Sequence, residues 1–326
     1  MAKKKPFLSI IIPVYNAGWK LPTLLKSVFS SAYRDFEVIA VDDASTDNSI
    51  ELAKAFDVKI VRLEKNSGAA AARNIGAKEA RADVLVFLDD DVVLKKDALE
   101  KIAEAFRDKE IHCLAGVYAK EPADGSLFGR YRALLEFFWM KDAGTIDGFV
   151  PAIGAVRKKL FREVGGFNEN YGQLEEVVFG YEINKRHPII LRADIQAFHH
   201  FPTFKRCVKL YFKRCFVWVR LFLKMQRFGK VAMTPSTGFA ALLALSIVFF
   251  SLLCLFFSQL AFVPPAFFLL FLAVNAKMYW FVFGEAGPFF LLYFFATNFI
   301  LQAIVGTAAV FSLLTVPFLG IEWGWA

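Results

Sequence analysis

Asp83-Val84-Leu85-Val86-Phe87-Leu88-Asp89-Asp90-Asp91 is an apolar run that stops in three consecutive carboxylates. An unbroken run of this kind, rich in β-branched and aromatic residues, reads as a parallel strand buried on both faces. In open α/β sheets, ligands bind outside the carboxyl ends of such strands. Asp89 and Asp91 are two positions apart, so in extended backbone their side chains share a face while Asp90 turns to the other. Two hard oxygen donors on one face suit Mg²⁺ or Mn²⁺ carrying a diphosphate. The competing reading is a solvated acidic turn that caps the next helix, where carboxylates are favoured anyway.

On either side of this run, apolar stretches alternate with helical patterns. Residues 7–14, 36–41, 58–63 and 111–118 read as further strands; residues 20–31, 47–56, 69–81 and 95–107 read as helices, with Ser45 or Thr46 placed to cap the second. This alternation predicts an α/β fold with a mostly parallel, Rossmann-like sheet covered on both faces. Residues 121–202 are less regular. The stretch 126–139 has one apolar helical face, suited to the sheet or to a bilayer, and glycines at 144, 148, 154, 165, 166 and 172 punctuate the residues beyond it.

Composition divides the chain. It is 56% hydrophobic with 38 Phe, too apolar for an ordinary soluble domain, and the excess is local: from 231 to 326 only Lys277, Glu285 and Glu322 are charged. Stretches 238–257, 261–283 and 288–316 are each long enough to cross a bilayer as helix, predicting a transmembrane tail of about three helices. A two-span tail with a re-entrant segment is the alternative. The net charge of +8 is local too, because 203–230 holds nine basic residues, no acidic ones, and several aromatics. Such a stretch predicts an amphipathic helix or helix pair at the headgroups, with anionic membrane lipids as its partner. The positive-inside rule then keeps a catalytic unit of residues 1–202 cytoplasmic and, with three spans, puts the C-terminus outside. The adjoining apolar tail argues against nucleic acid as the partner of the basic patch. Cys113, Cys207, Cys215 and Cys254 have neither metal-ligand spacing nor a disulfide framework. The apolar run after Met1-Ala2-Lys3-Lys4-Lys5 is short and broken by Pro13, unlike a signal peptide.

Several short segments fall in order along residues 7–200: Pro13-Val14-Tyr15-Asn16, Asp42-Asp43-Ala44-Ser45-Thr46-Asp47, Gly68 followed by Arg73-Asn74, Leu88-Asp89-Asp90-Asp91, Gly165-Gly166-Phe167 and Glu175-Glu176. The ordered set resembles the family 2 glycosyltransferases, which have the A-type nucleotide-sugar fold. The resemblance implies an inverting sugar transfer from a nucleoside diphosphate donor, a UDP-sugar by default, with Mg²⁺ or Mn²⁺. It places Pro13, Tyr15 and Asn16 around the base and ribose, and Asp42 or Asp43 on the base. Asp89 is expected on the donor and the metal, Asp90 in the donor site beside it, Asp91 on the metal, and His199 on the metal or diphosphate. Arg73 sits in an Ala-rich helix, where a guanidinium can meet a phosphate or a carboxylate of the site; a surface ion pair with Glu79 is the alternative. Glu175-Glu176 stands where the family usually has Glu-Asp, with the second acid as base. Glu176 is therefore the expected general base and Glu175 the other candidate, since a hydroxyl acceptor needs its proton removed as it attacks. No Gln-x-x-Arg-Trp motif comes after them, so polymer secretion through a channel of its own is not expected.

These readings predict a membrane-anchored glycosyltransferase with a lipid or lipid-linked hydroxyl acceptor at the cytoplasmic face. A polyprenyl phosphate acceptor, which brings its own oxyanion and needs no base, is the alternative. A non-catalytic membrane scaffold on a retained sugar-nucleotide fold is the rival from another class.

Overall fold

The structure is a computed structural model and describes residues 4–226 and 234–320. The chain divides between Phe201 and Pro202 into two compact units.

The first unit opens with β1 (Leu8–Val14), α1 (Lys20–Phe29), β2 (Phe36–Asp42), α2 (Ser49–Ala53), β3 (Lys59–Arg62), α3 (Ala69–Glu79) and β4 (Val84–Phe87). It continues with β5 (Val92–Leu94), α4 (Ala98–Ala105), β6 (Cys113–Tyr118), α5 (Leu127–Met140), β7 (Thr145–Ile146), β8 (Gly154–Arg157), α6 (Lys158–Glu163), α7 (Glu175–Asn184) and β9 (Ile189–His199). The strands lie in the order β3-β2-β1-β4-β8-β6-β9-β5, with β7 on β9. β1 is apolar throughout because both its faces are covered. Leu8, Ile10, Ile12 and Val14 join a core with Leu21, Leu24 and Leu25 of α1, while Ile11 faces α3. A methyl group at Gly76 would collide with Ile11, so glycine there lets α3 lie close on the strand.

The parallel sheet holds from β3 to β4; beyond β4 the sheet is mixed. β8 inserts antiparallel between β4 and β6, and β5 and β7 pair antiparallel with β9. β8 is four residues long and starts at Gly154, opposite Phe87, where any side chain would strike the Phe149 ring. A strand that short, opened by a required glycine, has no periodic signature. The 126–139 face packs inward: α5 buries Tyr131, Leu134 and Leu135, and Ser126 caps it by accepting from the Gly129 N–H at 3.0 Å.

Register fixes the site. Val14 lies opposite Asp42 and Ile11 opposite Phe87, so the residues just past β1, β2 and β4 emerge side by side at one edge of the sheet.

The second unit holds α8 (Phe204–Met225), α9 (Pro235–Leu253) and α10 (Val263–Leu319). The 227–230 end of the expected interfacial segment and Glu322 lie outside the described residues, as do the first three residues of the chain. The stretches Pro235–Leu253 and Ser258–Leu319 are long and apolar enough to cross a membrane. α9 starts earlier than the expected 238 because the Thr234 hydroxyl accepts from the Thr237 N–H at 3.2 Å and Pro235 suits the first turn. Inside α10, Gly287 leaves helical geometry at φ 76°, ψ 176°, ahead of Pro288. The two halves fold back on each other: Phe271 meets Phe299 at 5.5 Å between ring centroids, Tyr279 meets Phe295 at 5.6 Å, and Asn298 donates to the Tyr279 hydroxyl at 3.1 Å. The stretch after Val305 packs along α8. Cys215 Sγ donates to the Val305 carbonyl at 3.3 Å, and the buried Arg220 donates to Ser312 at 2.6 Å, Thr315 at 2.9 Å and the Gly320 carbonyl at 3.3 Å.

Candidate active site

The loops after β1 and β2 are locked to each other. Asn16 takes a left-handed conformation at φ 52°, affordable for asparagine. Its side-chain oxygen accepts from the backbone N–H of Thr46 at 2.8 Å and of Asp47 at 3.3 Å, and its own N–H donates to Ser45 Oγ at 3.1 Å. Asp42, fully buried, accepts from the Ser45 N–H at 2.9 Å and lies 3.2 Å from Arg62 Nε. Asp43 reaches across to the loop that opens α3, accepting from the N–H groups of Ser67 at 2.6 Å and Gly68 at 2.8 Å. Asn16 and Asp43 thus shape the loops after β1 and β2, Tyr15 stands 51% exposed above them, and Pro13 is half-buried within β1.

Arg73 is the hub of the site. Its side chain is 5% exposed and donates to Asp89 Oδ1 at 2.8 Å and to Glu175 Oε1 at 2.9 Å. Of the alternatives open in the sequence, the guanidinium takes carboxylates of the site; Glu79 instead pairs with Lys59. The guanidinium also lies over the Phe167 ring, 5.4 Å from its centroid. Burial works against the Arg73 charge, but Asp89 and Glu175 outweigh it and hold the proton more tightly than usual. Its neighbour Asn74 clamps the Gly165-Gly166-Phe167 turn, donating to the Phe167 carbonyl at 2.8 Å and accepting from the Phe167 N–H at 2.9 Å. Glu175 and Glu176 form the first turn of α7, where the helix dipole favours carboxylates. Glu175 is buried against Arg73, whereas Glu176 is half-buried and accepts, through its backbone carbonyl, from the Phe149 N–H at 3.0 Å.

The aspartate triplet splits in three directions. Asp89 goes to Arg73. Burial, then the charges of Asp91 and Asp89, push the Asp90 carboxyl up to about 7. Asp91 lies 3.1 Å from His199 Nε2 and 3.9 Å from Lys20 Nζ. Burial pushes the Asp91 carboxyl up, but the His199 hydrogen bond and the nearby positive charges outweigh it and hold it below the usual range. β5 pairs Val92 with His199, which is how a residue of the ninth strand arrives beside the fourth.

Residues 9–165 match the family described as glycosyl transferase family 2. This segment is a family 2 glycosyltransferase domain. An uncharacterized glycosyltransferase of Haemophilus influenzae is 32% identical over 185 residues, covering 53% of this chain and 60% of its own. The putative teichuronic acid biosynthesis glycosyltransferase TuaG of Bacillus subtilis is 33% identical over 155 residues, covering 45% of this chain and 62% of its own. The chain thus spans about 60% of the length of each of these two relatives. Among solved structures, the mannosyltransferase PcManGT of Pyrobaculum calidifontis, in complex with GDP-Man and Mn²⁺, superposes with a TM-score of 0.60 at 17% identity, covering 97% of this chain and 88% of that one. At that identity the likeness is one of fold.

For a divalent ion in the glycosyltransferase domain, Asp91 and His199 are the residues that fit. His199 Nε2 lies 3.1 Å from Asp91, and its buried Nδ1 has no hydrogen-bond partner among the described residues. Among the described residues no three His, Cys, Asp or Glu side chains cluster to enclose an ion. That donor set suits Mg²⁺ or Mn²⁺ whose other positions are filled by water and substrate phosphates. Asp89, expected on both donor and ion, commits one oxygen to Arg73.

Sequence reasoning missed two neighbours of this pair and one of His200. Lys20 opens α1; Tyr118 ends β6, its ring 4.6 Å from that of His199; and Trp19, 62% exposed, meets the buried His200 ring edge-on at 4.8 Å. Lys20 and Trp19 come soon enough after the Pro-Val-Tyr-Asn segment to have been candidates, whereas nothing in the sequence pointed to Tyr118.

Proposed function

We propose that the protein is a membrane-anchored inverting glycosyltransferase that moves a sugar from a nucleoside diphosphate donor to a hydroxyl of a lipid or lipid-linked acceptor at the cytoplasmic face. The observation that carries this reading is the division of labour between the paired glutamates. Arg73 bridges Asp89 and Glu175 and buries Glu175 in its ion pair, while Glu176, next to it in the first turn of α7, is only half-buried and takes the role of base.

The acceptor oxygen attacks the anomeric carbon as its proton passes to Glu176. The bond from that carbon to the diphosphate oxygen breaks on the opposite side, so configuration inverts and the nucleoside diphosphate leaves with the electron pair. Asp91 and His199 would hold the divalent ion, which supplies Lewis-acid neutralisation of the departing diphosphate. Pro13, Tyr15, Asn16, Asp42 and Asp43 frame the nucleoside, with a UDP-sugar as the default donor. Asp89, oriented by Arg73, meets the donor sugar or ribose, with Asp90 beside it. The basic α8 and the apolar α9 and α10 hold the domain at the headgroup plane, where a lipid-borne acceptor is concentrated.

The test is Glu176→Gln in the full chain in lipid, with a verified acceptor. A drop in transfer of about 10²-fold or more supports the base. An unchanged rate refutes it and moves the acceptor to a phosphate oxyanion such as polyprenyl phosphate.

A further inference from the structure

The packing of the second unit bears on membrane topology. α8 displays Lys205, Arg206, Lys209, Lys213, Arg214 and Lys224 at its surface and has no acidic residue. A helix that basic stays at the headgroup boundary and does not enter the hydrocarbon. Only Pro202 and Thr203 separate it from the end of the first unit.

The end of α10 is packed against this same helix. Phe311 meets Phe212 and Phe216 at 6.1 and 5.9 Å, Ser312 donates to the Phe216 carbonyl at 2.8 Å, and Arg220 reaches Ser312, Thr315 and Gly320. The Gly287 turn lies at the other end of the hairpin. Trp280 and Glu285 are exposed towards that turn, as expected of residues nearing a membrane–water boundary. The pairing of Phe271 with Phe299 puts residue 306 level with residue 264, at the hairpin's open end. α9 touches the hairpin near that end: Ala241 and Leu245 lie against Gly306, and Phe250 meets Phe267. From residue 241 to 250 α9 runs about 14 Å, while its partners differ in height by about 5 Å, taking about 1.5 Å per residue. α9 therefore lies across the open end of the hairpin.

We infer that the end of α10 returns to the membrane face on which α8 lies: the two halves of α10 are the crossing pair, the Gly287 turn is on the far face, and α9 does not add a third crossing. The inference rests on the reading of α9 and α10 as membrane helices, and it replaces an outside C-terminus.

The test is cysteine labelling of the full chain in intact cells with a membrane-impermeant maleimide, in a Cys254→Ser background. Glu285→Cys should label from outside. Lys78→Cys, Ser258→Cys and a cysteine appended after Ala326 should label only after permeabilisation. An appended cysteine that labels from outside, or a Glu285→Cys that does not, overturns the inference. A Phe212→Cys/Phe311→Cys pair should be bridged by a short bis-maleimide in native membranes, and failure to do so also overturns it. Release of the chain by alkaline carbonate would remove the membrane reading itself, a result distinct from any labelling pattern.

Discussion

Replacing Arg73 by methionine removes the guanidinium from between two carboxylates and keeps most of its bulk. Glu175 is 9% exposed and Arg73 5%, so the substitution strands a buried carboxylate whose second oxygen already has no hydrogen-bond partner among the described residues. Breaking a buried pair in this way costs about 3–5 kcal/mol. The Asp89 contact adds less, on the order of 1 kcal/mol, because Asp89 is 30% exposed and water screens it. Arg73→Met should therefore destabilise the catalytic unit by about 4 kcal/mol. Adding Glu175→Met removes the stranded charge and should restore stability, with a coupling energy of about 2 kcal/mol or more. The assay is urea-dependent pulse proteolysis of the full chain in lipid nanodiscs, tracking loss of the residue 4–201 fragment across the four-member cycle. A double variant no more stable than Arg73→Met, with coupling below about 0.5 kcal/mol, would refute the hub role of Arg73.

The same geometry sets other outcomes. Glu176→Gln should lower kcat for transfer by about 10²–10⁴-fold, whereas Glu175→Gln, which weakens the buried pair with Arg73, should shift the urea midpoint as well. The Asp90 carboxyl is pushed up to about 7 from 3.8, so the folded metal-free protein binds the proton more tightly than the unfolded chain. Its contribution is present below pH 4 and is lost as pH rises towards about 7, with a ceiling of about 4 kcal/mol at about 1.4 kcal/mol per pH unit. Asp90→Asn should therefore stabilise the metal-free protein relative to the parent at pH 8 and not at pH 4, in melts run with chelator. Asn74→Ala removes both bonds to the Phe167 backbone and should cost about 1–3 kcal/mol by the same proteolysis assay, with earlier hydrogen exchange at residues 165–169.

β1, β2 and β4 were legible because each carries a continuous apolar run that the fold buries, and their register alone gathers Asn16, Asp42, Asp43 and the aspartate triplet. Illegible were the pairings that depend on short or distant elements. Three-residue β5 gives no pattern, yet its ladder with β9 brings His199 to Asp91. Arg73 was open to a phosphate or a carboxylate, because its partners lie 16 and 102 residues away and sequence spacing says nothing about them. Asp43 was read as a ligand group, whereas its visible work is to accept two backbone N–H groups at the mouth of α3. In the apolar tail, Gly287-Pro288 marked the break between helices, but hydropathy counts lengths and cannot see that α8 lies against the end of α10.

The most direct test of the account is donor turnover by the purified full chain in lipid, screened over nucleotide sugars with Mn²⁺ or Mg²⁺. Asp91→Asn and His199→Ala are assayed beside it. The account predicts metal-dependent turnover of one donor, reduced by about 10²-fold or more in Asp91→Asn and less severely in His199→Ala, with both variants folded. Folded parent protein that neither turns over nor binds any nucleotide sugar in the presence of metal would contradict it and favour a non-catalytic membrane scaffold.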